Sequence, residues 1–316
     1  MTLPKSTAAI RVQQAGPLTL LQDQGRFGCR HLGVTQGGAA DLYSWAWANY
    51  LAGNSWGAAC LEITLGGLQL VAEKDLVIAV TGADLGATLD QKPLPLWQQV
   101  VWKEGQTLAF ATPLSGLRAY LAIQGGLAAE PVLDSVACVS REQLGGLDGR
   151  GNKLAQGDRL AVHAQTSKPQ ERPHQAPEDA RLDFSQTPVL ELLPGAQIGE
   201  FTGRSLYAAF NSRWRVDNRA DRMGVRLTGP RLDCRITSMI SEGINLGSVQ
   251  VPPDGQPIAL LNDRQTIGGY PRLGALTPLS ASRLAQCLPG QEVQLKARGS
   301  GPLLEKHRRF LEFFSN

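Results

Sequence analysis

Cysteine is sparse in this sequence, and its placement pairs with nothing. The five residues, Cys29, Cys60, Cys138, Cys234 and Cys287, lie far apart and are odd in number, so no disulfide framework is implied. The apolar neighbours of Cys60 in AACLEITL suit a buried thiol in a reducing compartment. Histidine is as scarce, with four scattered copies. No CxxC or HxxxH spacing occurs, so no structural or catalytic metal is expected. No apolar run reaches the roughly 18 residues that cross a bilayer, and the N-terminal MTLPKSTAAIRVQQAG has no uninterrupted apolar stretch of signal-peptide type. A cytoplasmic protein with no membrane partner is the expectation. With a net charge of +3 and no long block of Lys or Arg, nucleic acid is not an expected partner either. The phosphate-binding GxxxxGK[ST] loop, the GxSxG nucleophile elbow and a GxGxxG opening a helix after a strand are all missing.

What is abundant is the punctuation of short elements. The chain carries 35 glycines and 19 prolines spread along 316 residues, with 42% apolar residues. That combination reads as many tight turns in a chain long enough for two domains. Short apolar runs such as LEITLGGLQLV, DLVIAVTGAD, LRAYLAIQGG, VLELLPG and PIALLND are bounded by Gly, Pro, Asn or Asp, which predicts a mainly β fold with a few helices, built as sheet or barrel. One helix is predicted over Asp41 to Leu51, with Asp41 at its start and Gly53 just past its end. A second closes the chain, where Leu303, His307, Phe310 and Phe314 share a face and Glu305 and Arg309 are spaced i,i+4. The polar stretch AQTSKPQERPHQAPEDARLDFSQ, with three internal prolines, reads as a solvated connection. It divides the chain into 1–163, a linker at 164–187, and 188–316 with the terminal helix. Each half holds an RxGxRxxG pattern, Arg26 to Gly33 and Arg222 to Gly229, a weak hint of duplication.

Three polar constellations stand out. QDQGRFGCRHLGVTQGGAAD gathers Asp23, Arg26, Arg30, His31, Gln36 and Asp41 among glycines that let a backbone turn sharply and approach a ligand. Plain turns with solvated charges explain the same stretch as well. Glu62 lies inside an apolar strand, where an ionised carboxylate needs a cationic partner, and Arg26 or Arg30 is the expected one. A structural ion pair is the simpler account of Glu62, a catalytic base the sharper one. The densest stretch is ISEGINLGSVQVPPDGQPIALLNDRQTIGGYPRLG. Its strand IALLN is expected to deliver Asp263, Arg264, Gln265 and Thr266 to a rim, with Gly268 and Gly269 in conformations closed to other residues and Tyr270 following. Ser241, Glu242 and Asp254 lie upstream of it. Local chemistry points to recognition of a polar small molecule.

At these residues the chain resembles the C-subunit family of bacterial 5-oxoprolinase, also called PxpC or KipA, and the related carboxyltransferase A and B subdomains of urea carboxylase. The resemblance runs along nearly the whole chain and is carried by QDQGRFGCRHLGV with GAAD, LEITLGG, TGADLGATLD, GLRAYLAIQGGL, DRMGVRLTGP and, above all, the stretch from Ser241 to Gly274. It implies two tandem cyclophilin-like β-barrel subdomains, with the Gly-rich N-terminal segment and the DRQT segment as signature regions expected to line one cleft. The family's usual G-V-P-P-S-G-A-M-D appears here as GVTQGGAAD, and its usual Ser-Arg-Ser-Thr appears as Ser135-Val-Ala-Cys138. These departures bear on substrate identity.

The resemblance implies one component of a multi-subunit enzyme, acting with a KipI-like and a LamB/YcsF-like partner in ATP-dependent opening of 5-oxoproline to glutamate, and inactive alone. Asp263, Arg264, Glu62 and Arg26 are the catalytic candidates, the cations stabilising charge that develops on the lactam oxygen and a carboxylate handling protons. His31, Gln36, Asp41, Ser241, Glu242, Asp254, Gln265, Thr266, Gly268, Gly269 and Tyr270 are the substrate-binding candidates. ATP is expected at the level of the complex. The two internal methionines, Met223 and Met239, make no Met-Lys-Met turn, so no biotin is expected on this chain. Two other readings stand beside this one. One is the carboxyltransferase component of a biotin-dependent urea or amide carboxylase. The other is a non-enzymatic KipA-like regulator that sequesters a KipI-like kinase inhibitor.

Overall fold

The computed structural model describes residues 6–164 and 174–315. The chain folds as two units. The first takes in the described residues up to Arg26, then Gly37–Asp183 and the tip from Phe314; the second takes in Phe27–Gln36 and Phe184–Phe313. The contiguous division expected from the sequence changes in two respects. Ten residues of the Gly-rich segment, 27–36, belong with the C-terminal half. The expected linker does not run free to residue 187: residues 165–173 lie outside the described residues, and the stretch after them is held by the first unit. There Gln99 N–H donates to the His174 carbonyl (2.6 Å) and Ala176 N–H to that of Trp97 (2.9 Å), while Tyr43 Oη donates to the Ala180 carbonyl (2.8 Å).

The first unit is two sheets packed over one apolar core. Seven strands run in the order Leu127–Ala128, Arg159–His163, Ser6–Ala15, Leu68–Ala72, Thr107–Ala109, Thr88–Leu89, Lys92–Pro93. Five run Leu18–Gln22, Cys60–Thr64, Ser115–Ile123, Leu76–Asp84, Gln99–Trp102. Ile10, Val12, Leu70 and Leu160 from the first sheet meet Leu61, Ile63, Ile78 and Leu121 from the second in a single cluster. Alternation along Leu68–Ala72 is the mark of a half-buried strand. Cys60–Thr64 is buried at every residue because the helix Leu42–Leu51 packs on the outer face of its sheet. Asp41 caps that helix by accepting from Ser44 N–H (3.0 Å), as the sequence predicts.

The second unit contains a closed barrel, ordered Val189–Pro194, Arg272–Leu276, Ser248–Gln250, Ile258–Leu260, Gly224–Thr228, Arg213–Val216, Glu292–Ala297. The last strand returns to the first in parallel register, Val189 opposite Gln294 and Leu192 opposite Ala297. Inward residues such as Leu192, Trp214, Val216, Leu227, Val249 and Leu295 are buried and fill the barrel, so chemistry is left to the loops at its ends. A two-stranded ribbon, Glu242–Gly243 with Ile267–Gly268, stands outside the barrel. The terminal helix is Ser300–Ser315, with Leu303, Phe310 and Phe314 buried and Arg309 Nε 2.7 Å from Glu305 Oε1. The RxGxRxxG echo falls on unlike structure. Its first copy includes a 3-10 turn, Arg30–Leu32, closed by Gly33 at φ +79°, while its second lies largely on the strand Gly224–Thr228.

Candidate functional site

The chain beyond the strand Ile258–Leu260 does not come out at a rim. Leu261, Asn262, Asp263 and Arg264 are all buried, Asp263 at 7% exposed and Arg264 at 3%. The reason is a partner far back in the chain. Arg222 grips Asp263 with two parallel bonds, Nε to Oδ2 and Nη2 to Oδ1, both 2.9 Å, and its carbonyl accepts from Asp263 N–H (2.9 Å). A bidentate, desolvated pair of this kind fixes the loop. The expectation of a rim-exposed Asp263 is therefore corrected.

Arg264 is buried differently. Its guanidinium donates to carbonyl oxygens, Nε to Ile244 (3.3 Å) and Nη1 to Leu261 (3.1 Å), and Nη2 reaches Gln36 Oε1 (3.4 Å). Its own carbonyl accepts from Thr35 Oγ1 (3.3 Å). Arg30 Nη2 donates to the same Ile244 carbonyl and to that of Thr266. Two guanidiniums thus share one carbonyl oxygen. Burial first, and the charge of Arg30 second, pull the Arg264 pKa down to about 10, with Asp263 opposing.

Beside this pair opens a depression of about 520 Å³, lined among others by Arg30, His31, Asn245, Thr266 and Ile267. Among the described residues, the side chains of His31, Asn245 and Thr266 and the Nε and Nη1 of Arg30 make no hydrogen bond. The two glycines of GGYP serve space rather than conformation, since neither has positive φ. A Cβ on Gly268 would lie 2.4 Å from Ile244 Cδ1 and 2.6 Å from Gln250 Nε2, and one on Gly269 2.9 Å from the Met239 carbonyl. Gln250 is 3% exposed, and among the described residues that Nε2 has no acceptor.

Of the residues singled out from the sequence, the second unit brings together His31, Gln36, Arg264 and Thr266, with Gln265 between the last two and Gly268 behind them. Glu242 is on the ribbon and pairs with Arg272. Ser241 and Tyr270 are exposed nearby in sequence, Tyr270 at 42%. Asp254 is elsewhere, paired with Arg226 in the turn before Ile258. Arg30 was singled out in the Gly-rich segment and as a partner for Glu62 but not as a ligand-binding residue, and Asn245 and Gln250 were not singled out at all. Asn245 lies within GINLG, where it reads as a turn residue, and Gln250 sits between two valines of a short strand, where a lone polar residue is the available signal.

The remaining candidates form a separate network inside the first unit. Glu62 is fully buried; its Oε2 accepts from Tyr120 Oη (2.7 Å) and Ala40 N–H (2.8 Å), and its Oε1 lies 3.7 Å from Arg118 Nε. Tyr120 Oη accepts in turn from Asp41 N–H (2.7 Å). Burial, then the Glu62 charge, pushes the Tyr120 phenol well above its ordinary pKa. The cation near Glu62 is thus Arg118, not Arg26 or Arg30. Tyr120 stands directly opposite Glu62 in the antiparallel pair, and Arg118 is two residues along the same face, a period-2 signal present in LRAY. Arg26 is committed to carbonyls, Nε to Val132 (3.0 Å) and Nη2 to Ala137 (2.6 Å). Asp41 caps its helix through both oxygens, Oδ2 accepting from Ser44 Oγ (2.6 Å). The five cysteines are thiols outside any disulfide, and burial pushes the Cys60 thiol up in pKa. Among the described residues no His, Cys, Asp and Glu group could hold a metal, and no helix is long and apolar enough to cross a membrane.

In class the chain is a mainly β protein with a closed, filled barrel in its second unit. The family described as Carboxyltransferase domain, subdomain A and B, matches residues 32–297, and the chain belongs to that family. It is 37% identical over 286 residues to the C subunit of 5-oxoprolinase from Escherichia coli, covering 90% of this chain and 89% of that one. The protein of the same name from Haemophilus influenzae is 34% identical over 284 residues, 88% of this chain and 87% of its own. The crystal structure of K. lactis urea amidolyase superposes with a TM-score of 0.90 at 26% identity, over 99% of this chain and 20% of that much longer one.

Proposed function

We propose that this chain is the C subunit of an ATP-dependent 5-oxoprolinase complex, which opens 5-oxoproline to glutamate together with a KipI-like and a LamB/YcsF-like partner, and that it has no such activity alone. The observation that carries the reading is the nearly end-to-end match to two bacterial proteins named as the C subunit of 5-oxoprolinase. The cationic depression supports it, because 5-oxoproline is a small anion. In this reading Arg30 binds substrate and Arg264, buried behind it, supplies fixed positive charge; oriented charge in a low-dielectric setting stabilises developing negative charge on a lactam oxygen. Glu62 and Asp263 find no support as proton carriers, since each is buried and accepts from, or lies beside, an internal donor or cation. ATP chemistry belongs to the assembled complex.

A second reading, carboxyl transfer to urea or another amide from a biotin carried on a separate chain, is supported by the likeness to urea amidolyase. Reconstitution separates the two. The chain mixed with the KipI-like and LamB/YcsF-like partners should form glutamate from 5-oxoproline and ATP, and should form none by itself. Turnover by the isolated chain, or urea carboxylation with a biotin carboxylase and carrier in place of glutamate formation, overturns the proposal.

A further inference from the structure

The loops of the second unit hold more positive charge than they neutralise. Asp263 is consumed by Arg222, and Glu242 by Arg272. Among the described residues neither Arg30 nor Arg264 has an ion pair with a carboxylate, although the two guanidiniums meet at one carbonyl. Like charges held together in this way are stabilised by an anion. Two backbone amides nearby are spent within the protein, Gly33 N–H on Arg30 O (3.0 Å) and Ile244 N–H on Thr266 O (3.0 Å). A set of side-chain donors surrounds the depression. They are the Nε and Nη1 of Arg30, with the Asn245 amide, the Thr266 hydroxyl and the His31 ring. Ile267, 58% exposed, adds an apolar wall.

We propose that this depression is a carboxylate-binding subsite in which Arg30, Asn245 and Thr266 hold the two oxygens of one carboxylate on a small, compact molecule. With its Nη2 held by two carbonyls, Arg30 offers a single charge-assisted bond from Nε or Nη1 to one carboxylate oxygen, and the second oxygen falls to Asn245 and Thr266; no lysine, the usual point charge for a phosphate, is among the residues that line the depression. Arg264 is a positioning residue: it fixes the Ile244 carbonyl on which Arg30 rests and adds charge from behind. The carboxylate class stands on the geometry alone; the choice of 5-oxoproline as the natural ligand rests on the 5-oxoprolinase reading.

The test titrates the full chain with 5-oxoproline, 2-pyrrolidinone, urea and inorganic phosphate by calorimetry. Pyrrolidinone has the same ring without the carboxylate. Saturable binding of 5-oxoproline, at least about tenfold tighter than of pyrrolidinone, urea or phosphate, is expected. Arg30→Met should abolish that preference with an unchanged melting temperature, and Arg30→Lys should restore part of it. In the reconstituted complex Arg30→Met should raise KM for 5-oxoproline by about tenfold or more. Equal affinity for pyrrolidinone, a preference for phosphate, or a complex whose KM ignores Arg30→Met overturns the subsite. A complex that forms no glutamate, while the chain still prefers carboxylates through Arg30, overturns the 5-oxoprolinase reading and leaves the subsite standing.

Discussion

Both units bury ionised side chains, and they dispose of the charge in opposite ways. In the first unit Glu62 lies in the core with Tyr120, the Ala40 amide and Arg118 around it, so its charge is balanced by its own neighbours. In the loops of the second unit one carboxylate, Asp263, answers Arg222, while Arg264 and Arg30 converge on a neutral carbonyl beside an open depression. A buried charge by itself therefore does not distinguish scaffold from recognition. The distinction lies in whether the balance closes inside the protein, because an excess left open to solvent is the one a ligand can complete.

The largest effect expected tests the closed half of that balance in the second unit. Asp263→Ala removes the carboxylate that Arg222 grips in the interior, which costs about 3–5 kcal/mol. Urea unfolding should show that loss, and any fall in activity of the complex should follow the loss of fold. Replacing both partners, Arg222→Met with Asp263→Leu, removes the buried charges together and should recover most of the stability. A stable Asp263→Ala chain that is nevertheless inactive in the complex would move Asp263 from scaffold back into the site.

Much of the scaffold is legible in the sequence, because its causes are local. Asp41 ahead of LYSWAWANYL and Gly53 beyond it mark the helix Leu42–Leu51, and the spacing of Leu303, Phe310 and Phe314 marks the terminal one. Mainly β architecture follows from short runs between turn residues. The site is less legible, because its causes are distant. IALLNDRQ reads as a strand running out to a rim; it is buried because Arg222 waits 41 positions upstream. Arg30 reaches a carbonyl 214 positions away, and nothing in RFGCRHLG says that residues 27–36 fold with the other half of the chain. GGYP suggests special backbone angles where the structure needs absent side chains, a requirement set by Ile244, Gln250 and the Met239 carbonyl.

A middling effect is expected in the first unit. Tyr120→Phe deletes the hydroxyl that donates to Glu62 and accepts from Asp41 N–H, leaving buried groups short of a partner at a cost of about 1–3 kcal/mol. Thermal melting should register it, and carboxylate affinity of the chain should not change. Weakened 5-oxoproline binding at unchanged stability would mean that the first unit's charge network is part of recognition, and the contrast between the units would fail.

The smallest effect expected concerns Asp254, which shares a unit with the depression but does not border it. Its pair with Arg226 is partly exposed, at 49% for the Asp254 side chain and 23% for that of Arg226. Exposed ion pairs contribute about 0–1 kcal/mol, since solvent and salt screen them. Asp254→Asn keeps the Oδ1 that accepts from Gln256 N–H (3.0 Å), so the turn should hold and stability should fall by no more than about 1 kcal/mol. Removing a negative charge makes the unit more positive overall. If anion recognition followed net charge, 5-oxoproline would bind more tightly to Asp254→Asn. If it follows the Arg30 and Arg264 arrangement, affinity stays within about twofold at 0.15 M salt, where charges more than about 8 Å apart in solvent are largely screened. A larger gain that disappears at high salt would show diffuse attraction at work, and the comparison would then rest on total charge instead of where the balance is left open.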